Sequence, residues 1–292
     1  MKTLHFVHRE SVEKGWSGER KYRVVDRAGA VYLLRFCSAE LFEKKQREFE
    51  NMKRVSALGV PMCQPLDFGV CDEGTYLLQS WIDGDDAEDI IPTLSAEEQY
   101  RYGSEAGRAL KLIHSIPAPA DLERWENRFN RKIDRNIKRY LDCPLRFDDH
   151  GGELLIDYLN TNRHLLNQRP QYWQHGDFHI GNMMLDRNGQ LHIIDFNRSD
   201  FGDPWEEFNR IVWSAQAAPA FACGIVDAYF NDSVPMEFWQ LLAVYIASNT
   251  LSSLPWAIPF GQQEIDTMRT QAKQILSWYD NMKNPVPTWY KP

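Results

Sequence analysis

The chain has 292 residues, 43% of them apolar and 13% aromatic, with a formal charge of −8. That is enough chain for one large or two medium domains around a sizeable packed core. The acidic balance lacks the cationic footprint of a nucleic-acid binder, so no nucleic-acid partner is expected.

The opening MKTLHFVHRE lacks the apolar run of a secretory signal, roughly 7–15 residues long. KYRVVD (21–26) and AVYLLRF (30–36) read as strands around a hairpin-like turn at Arg27-Ala28-Gly29. A helix follows, with Ser38 as N-cap, Gly59 as stop, and residues 41, 45, 48, 52 and 55 recurring along one face. TYLLQSW (75–81), after the turn Asp72-Glu73-Gly74, is a third strand. Beyond DGDD (83–86) the character changes. Ser95 and Glu98 make a capping box for a helix running to about Ser115. The rest is helical apart from one stretch between 173 and 207. The segment FWQLLAVYIASNTLSSLPWAIPF is interrupted by Gln240, Asn249, several serines and two prolines, and reads as buried helix plus loop rather than a membrane span. The five cysteines (Cys37, Cys63, Cys71, Cys143, Cys223) contain no C-x-x-C pair, so neither a disulfide framework nor a zinc site is indicated and a reducing cytosol fits. The outline is α+β: a β-rich part with one helix over residues 1–82, and a larger helical part over 83–292. A cleft between two such parts is an ordinary place for a ligand.

The exceptional stretch reads WQHGDFHIGNMMLD (173–186), and IIDFNRSDFGDPWEE (193–207) follows closely. Transfer of a phosphoryl group asks a protein for positioning and for positive charge near the phosphates, usually Mg²⁺. Mg²⁺ takes oxygen ligands, typically one or two carboxylates plus phosphate oxygens. A base must also reach the attacking hydroxyl. Asp177 suits the base. Asn182 can offer an amide oxygen to the metal, and Asp195, after the apolar LHII, can offer the main carboxylate. His175 and His179 stand at i, i+4 but have no suitably spaced third ligand. They read as bracing groups.

HGDFHIGN followed by IIDF and GDP resembles the aminoglycoside phosphotransferase and choline kinase family of the protein-kinase-like fold. The resemblance implies a bilobal architecture, with a small β-rich nucleotide-binding N-lobe carrying one helix and a larger, mostly helical C-lobe holding the catalytic loop, metal site and acceptor pocket. It implies ATP and Mg²⁺ as cofactors. EKGWSGERKYRVVD (13–26) is similar to the family's phosphate-covering hairpin, with Ser17 and Gly18 close to phosphate. Arg35 stands where the pattern has a lysine. Strand alternation sets it on a face with Val31 and Leu33, and Glu48, on the apolar helix stripe, is its expected partner. LLQSWIDGDD (77–86) resembles the hinge, with backbone groups of Ser80 and Ile82 on the adenine edge and Leu33, Leu78 and Ile194 as apolar walls. Arg198 meets phosphate or locks the loop. Asp203 reads as an N-cap with Pro204 at the first helical position and Glu206 reaching back, so 203–207 are structural; the family usually has an aspartate where Glu207 stands.

The overall acidity and the cluster Asp83, Asp85, Asp86, Glu88 and Asp89 lean toward a cationic small-molecule acceptor, although such a cluster also reads as a solvated loop. Trp205, Trp213, Tyr229, Trp239, Tyr245, Trp256 and Trp278 could stack on an acceptor, but at helical spacing they also read as core. The leading expectation is a cytoplasmic O-phosphotransferase acting on an aminoglycoside-type antibiotic or amino sugar. Choline, ethanolamine, homoserine or a sugar are metabolic alternatives. A nucleotide-binding pseudokinase is the alternative of another class, motivated by Arg35. The H-G-D loop and the lack of an A-P-E motif count against a protein kinase.

Overall fold

A computed structural model describes residues 4–13 and 18–291. The chain opens with β1 (His8–Ser11), β2 (Arg20–Val25) and β3 (Val31–Cys37), then α1 (Phe42–Ala57), β4 (Pro65–Cys71), β5 (Gly74–Ser80), β6 (Gly84–Asp86) and the single turn α2 (Ala87–Ile90). Three longer helices follow, α3 (Ala96–Ile113), α4 (Trp125–Asp142) and α5 (Gly151–Asn162). Next come the short strands β7 (Tyr172–Gln174), β8 (Met183–Asp186), β9 (Leu191–Ile193) and β10 (Asp200–Gly202). The chain ends in α6 (Ile211–Ala217), α7 (Pro219–Phe230), α8 (Met236–Ala257) and α9 (Gln262–Trp278). Contacts divide it into two units, one of residues up to Ile90 with Gly181–Ser199, the other of Ile91–Ile180 with the remainder.

The first unit is built on an antiparallel sheet in the order β1-β2-β3-β5-β4. Alternation along β3 gives it two different faces. Leu34 and Phe36 join Val24, Cys71 and Tyr76 in an apolar cluster, with Tyr22, Tyr32 and Leu78 at its margin. Leu33 and Arg35 point the other way, opposite Gln79 and Leu77 across the β3–β5 ladder. On this side Gln79 reaches Met52 of α1, 3.4 Å to the sulfur. The expected α1 stripe is buried at Lys45, Glu48, Met52 and Val55. Its first member, Leu41, lies in a preceding 3-10 turn and is exposed, because Ser38 caps that turn rather than α1 itself. The sheet's two edge strands, β1 and β4, carry no strand signal. HRES has no apolar alternation, and PLDFGVC begins with proline and contains glycine, residues that fit an edge.

A second, three-stranded sheet in the same unit has the order β6-β8-β9. β8 and β9 form a hairpin, Met183 opposite Ile193 and Leu185 opposite Leu191. It is tied to the segment after α1 by Ile193 N–H donating to the Pro61 carbonyl at 2.9 Å.

In the second unit α8 is the central helix, buried at positions including Leu241, Leu242, Val244, Tyr245 and Ile246, and flanked by α4, α5 and α9. It is long and apolar enough to cross a membrane by composition, yet most of it is covered by protein. α3 has the expected capping box at Ser95 and Glu98. It lies against α7 at glycine contacts: a Cβ on Gly103, Gly107 or Gly224 would collide with the facing backbone carbonyls of Phe221, Ile225 and Tyr100 respectively. The C-terminal aromatics divide between core and margin, with Trp205, Trp213 and Trp278 half-buried. Tyr229, Trp239 and Tyr245 are buried, whereas Trp256 is exposed.

The GDPWEE segment starts its helix later than its sequence signals suggest. A 3-10 turn covers Glu206–Arg210 and α6 begins at Ile211. Asp203 is not the N-cap, a position taken by Trp205; it accepts the Trp205 N–H at 3.0 Å in the preceding turn, is fully buried, and also binds Arg169 Nε (2.7 Å) and Tyr245 Oη (2.6 Å). Glu206 accepts from Lys132 Nζ and Gln174 Nε2 instead of reaching back to the cap. Those partners outcompete the local box.

Candidate active site

In the first unit the β8–β9 hairpin places Asn182 and Asp195 at one end. The Met183–Ile193 pair is the last of the ladder, and one step beyond it the Ile194 N–H donates to the Asn182 carbonyl at 3.0 Å. Asp195 follows at φ 64°, ψ 64°. A left-handed aspartate is uncommon and carries a modest strain of the kind found at functional sites. Arg35 Nη2 lies 3.3 Å from its Oδ1, while 29% of the side chain remains exposed and Oδ2 has no partner among the described residues. The hairpin thus brings the Asp195 carboxylate and the Asn182 residue to one end, and a carboxylate with an amide oxygen is a donor set that suits Mg²⁺. Among the described residues no trio of His, Cys, Asp or Glu is arranged to hold a metal by itself. A cation held here would complete its shell with phosphate and water oxygens.

Arg35 is buried, and the structure corrects its expected partner. Its guanidinium takes Glu19 at 2.6 Å and Asp195 at 3.3 Å, not Glu48. Glu48 is occupied by Lys45, one helical turn away at 2.6 Å, and Lys45 also contacts Glu19. The result is an alternating chain, Asp195–Arg35–Glu19–Lys45–Glu48. Lys45 outcompetes Arg35 for Glu48 because both project from α1 at i, i+3. Burial lowers the Arg35 pKa, but Glu19 and Asp195 more than reverse this and the guanidinium stays charged. Burial likewise pushes Glu19 up, and the charges of Arg35 and Lys45 bring it net below the usual carboxylate value. Lys21, directly across the β2–β3 ladder from Arg35, is lowered by burial and by the Arg35 charge, with Asp195 and Glu19 opposing.

Leu33 shares the Arg35 face, as expected, but Leu78 sits on the opposite one, with the apolar cluster. The Ser80 N–H is spent on the Gln64 carbonyl (2.9 Å) and its hydroxyl accepts from Gln64 N–H, so Ser80 has no free backbone donor for a base. Ile82, between β5 and β6, makes no backbone hydrogen bond with a described residue. Ile194 is half-buried beside Asp195, and Arg198 ends the following 3-10 turn in an exposed position. A Cβ on Gly18 would meet no atom of the described residues within 4 Å, and Ser17 falls outside the described residues. In the acidic cluster Asp85 pairs with Arg187 at 2.9 Å and Asp83 lies 3.8 Å from it, both largely solvated.

The second unit holds Asp177 and the two histidines. β7 runs into a loop anchored by buried His175, Phe178 and Ile180, which leaves Asp177 and His179 partly exposed between them. The chain can turn this way because Gly176 takes φ 87°, where a side chain would be strained. Fully buried Glu207 holds the loop: its carboxylate accepts the Gly176 N–H at 2.9 Å and the Phe178 N–H at 3.3 Å. Burial drives the Glu207 pKa up, but His114, His175 and the Gly176 N–H outweigh it and hold the acid below its ordinary value. His175 Nδ1 accepts the Asp177 N–H at 3.3 Å, and its ring meets Phe178 edge-on. The Asp177 carboxylate faces Arg210 Nε at 3.2 Å, with His179 Nε2 at 3.9 Å. Arg210 could not be read from sequence, since no pattern links it to a residue 33 positions away. Lys45 and Glu19 had signals: Lys45 falls on the helix stripe beside Glu48, and Glu19 lies in the phosphate-hairpin motif.

The model of the phosphotransferase enzyme family matches residues 8–239. The chain belongs to that family. It is a small-molecule, kinase-type phosphotransferase with the protein-kinase-like fold. Among solved structures this phosphotransferase is similar to a thermostable mutant of the aminoglycoside phosphotransferase APH(4)-Ia in apo form, at 17% identity over 93% of this chain and 94% of that one, with a TM-score of 0.66. It is also similar to a choline/ethanolamine kinase family protein from Mesorhizobium loti, at 16% identity, 95% and 91% coverage and a TM-score of 0.65. A third similar structure, a GDP complex of an aminoglycoside 2'-phosphotransferase-IIIa mutant, has 15% identity, 97% and 95% coverage and a TM-score of 0.66. No curated protein matches the chain.

Proposed function

We propose that this phosphotransferase moves the γ-phosphoryl group of ATP to a hydroxyl of an amino sugar or aminoglycoside-type acceptor. The observation that carries the reading is Asp195: fixed in a left-handed turn beside Asn182, one oxygen on Arg35 and the other uncommitted. A purely structural ion pair needs no partly exposed carboxylate in a strained turn, whereas a Mg²⁺–nucleotide site needs a carboxylate open to phosphate and water. Bound Mg²⁺ would supply Lewis-acid stabilisation of charge on the phosphates.

Asp195 and Asn182 would hold that cation. Arg35 fixes the Asp195 carboxylate and adds positive charge for the α/β-phosphates. Leu33 and Ile194 wall the base, and Ile82 offers it backbone groups. Gly18 would bring its backbone N–H group to the phosphates. Asp177 orients the acceptor hydroxyl and takes its proton as the new oxygen–phosphorus bond forms and the bond to the β-phosphate bridging oxygen breaks, releasing ADP. His175 and Glu207 keep the Asp177 loop in register, His179 flanks the carboxylate, and Arg198 locks the turn after Asp195.

The acceptor rests on the relatives. A structure of the APH(4)-Ia mutant is a ternary complex with ADP and hygromycin B. The chain's acidity and the solvated acidic cluster favour a cationic acceptor over a neutral sugar. The test is an ATP-consumption screen with Mg²⁺ over aminoglycosides, amino sugars, choline, ethanolamine and homoserine. The reading expects turnover with a polycationic amino sugar. Turnover only with choline or ethanolamine would move the acceptor to the metabolic class, and ATP binding without turnover on any hydroxyl would favour a pseudokinase.

A further inference from the structure

We propose that Lys45 is a second phosphate-binding cation of the nucleotide site, and that the Glu19 carboxylate stands where a phosphate group binds, bridging Lys45 and Arg35 until nucleotide displaces it. This rests on the nucleotide-binding reading of the first unit. Glu19 places Oε2 2.6 Å from the Arg35 guanidinium and Oε1 against Lys45 Nζ. One anion with two oxygens on two separate cations is how a phosphate group is gripped by its non-bridging oxygens. Both cations are nearly inaccessible, with 5% and 8% of their side chains exposed, so an anion between them is little screened by water.

Neither cation needs Glu19. If it leaves, Arg35 keeps Asp195 at 3.3 Å and Lys45 keeps Glu48 at 2.6 Å. Displacement therefore strands no buried charge, which is the usual obstacle to opening such a pair. Arg35, Lys45 and nearby Lys21 balance Glu19, Glu48 and Asp195, three charges against three. Withdrawing Glu19 makes the balance three against two, a net positive site suited to polyphosphate.

The competing role is a permanent strut, with Glu19 holding Arg35 in place for the nucleotide. Calorimetry on the full chain with ATP and with adenosine separates the two. ATP binding by the wild type tests the site reading by itself; if neither ATP nor adenosine binds, that reading fails and this one with it. Given wild-type binding, Glu19→Gln should tighten ATP about tenfold, the scale of one charge-assisted hydrogen bond, and leave adenosine unchanged. Unchanged or weaker ATP binding by E19Q overturns the competitor role. Lys45→Gln, which can still hydrogen-bond both carboxylates, should weaken ATP by about the same factor without affecting adenosine. Unchanged ATP affinity in K45Q removes Lys45 from the phosphates, and that variant decides the matter if E19Q does not fold.

Discussion

The carboxylate of Glu207 accepts the backbone N–H of Gly176 at 2.9 Å, from a position with 2% of its surface exposed. A buried acid thus fixes the residue before Asp177, through backbone alone. Glu207→Ala should lower stability by about 2–4 kcal/mol, since it orphans the N–H groups of half-buried Gly176 and buried Phe178. It should also lower kcat more than it raises KM for ATP, because the loop it holds carries the proposed base. Urea unfolding with steady-state kinetics checks both parts.

The same contact predicts an acid limb. The folded pKa of Glu207 lies below its ordinary value of 4.5, so its stabilisation is complete above that value and lost as pH falls through the folded pKa. Glu19 is shifted in the same direction. Unfolding free energy measured in urea should therefore hold from neutrality to about pH 5 and decline below about 4.5. Glu207→Gln should show a shallower decline. Parallel curves for the two proteins would place the acid sensitivity elsewhere.

Arg35→Ala should raise KM for ATP and cost about 3 kcal/mol of stability, because Asp195 and Glu19 lose a buried partner. Arg35→Lys keeps the charge but has no planar fork to serve two carboxylates, so it should fall between wild type and alanine in both measures. A lysine variant equal to wild type would mean that only the charge at this position matters.

Much of this was legible in the sequence because it is local. Asp177, Asn182 and Asp195 lie within one hairpin's length of chain, and alternation correctly set Arg35 on the α1 side of β3. The partners of those residues were harder. Whether Arg35 chooses Glu48 or Glu19 depends on how far α1 is rotated against the sheet and on Lys45 competing at i, i+3, neither of which a one-dimensional pattern contains. Arg210 reaches Asp177 only through tertiary packing. Asp203 and Glu206 carry good capping signals, but Arg169, Tyr245 and Lys132, all distant in sequence, draw their carboxylates away.

Gly103 and Gly107 carry no chemistry and are expected to be as intolerant as the site itself. A methyl on either would meet an α7 carbonyl, so Gly103→Ala should destabilise by about 2 kcal/mol or more, the scale of overpacking. Thermal unfolding of G103A against an alanine substitution at exposed Arg108 of the same helix isolates the close approach from helix propensity.

The central claim is that Asp177 takes the proton of an acceptor hydroxyl while other residues bind the nucleotide. The direct measurement is Asp177→Asn, assayed for ATP affinity by calorimetry and for transfer with the best acceptor from the screen. The account predicts ATP affinity within about twofold of wild type and kcat lower by roughly 10²–10⁴, the range for loss of a general base. Transfer at the wild-type rate by D177N would contradict it.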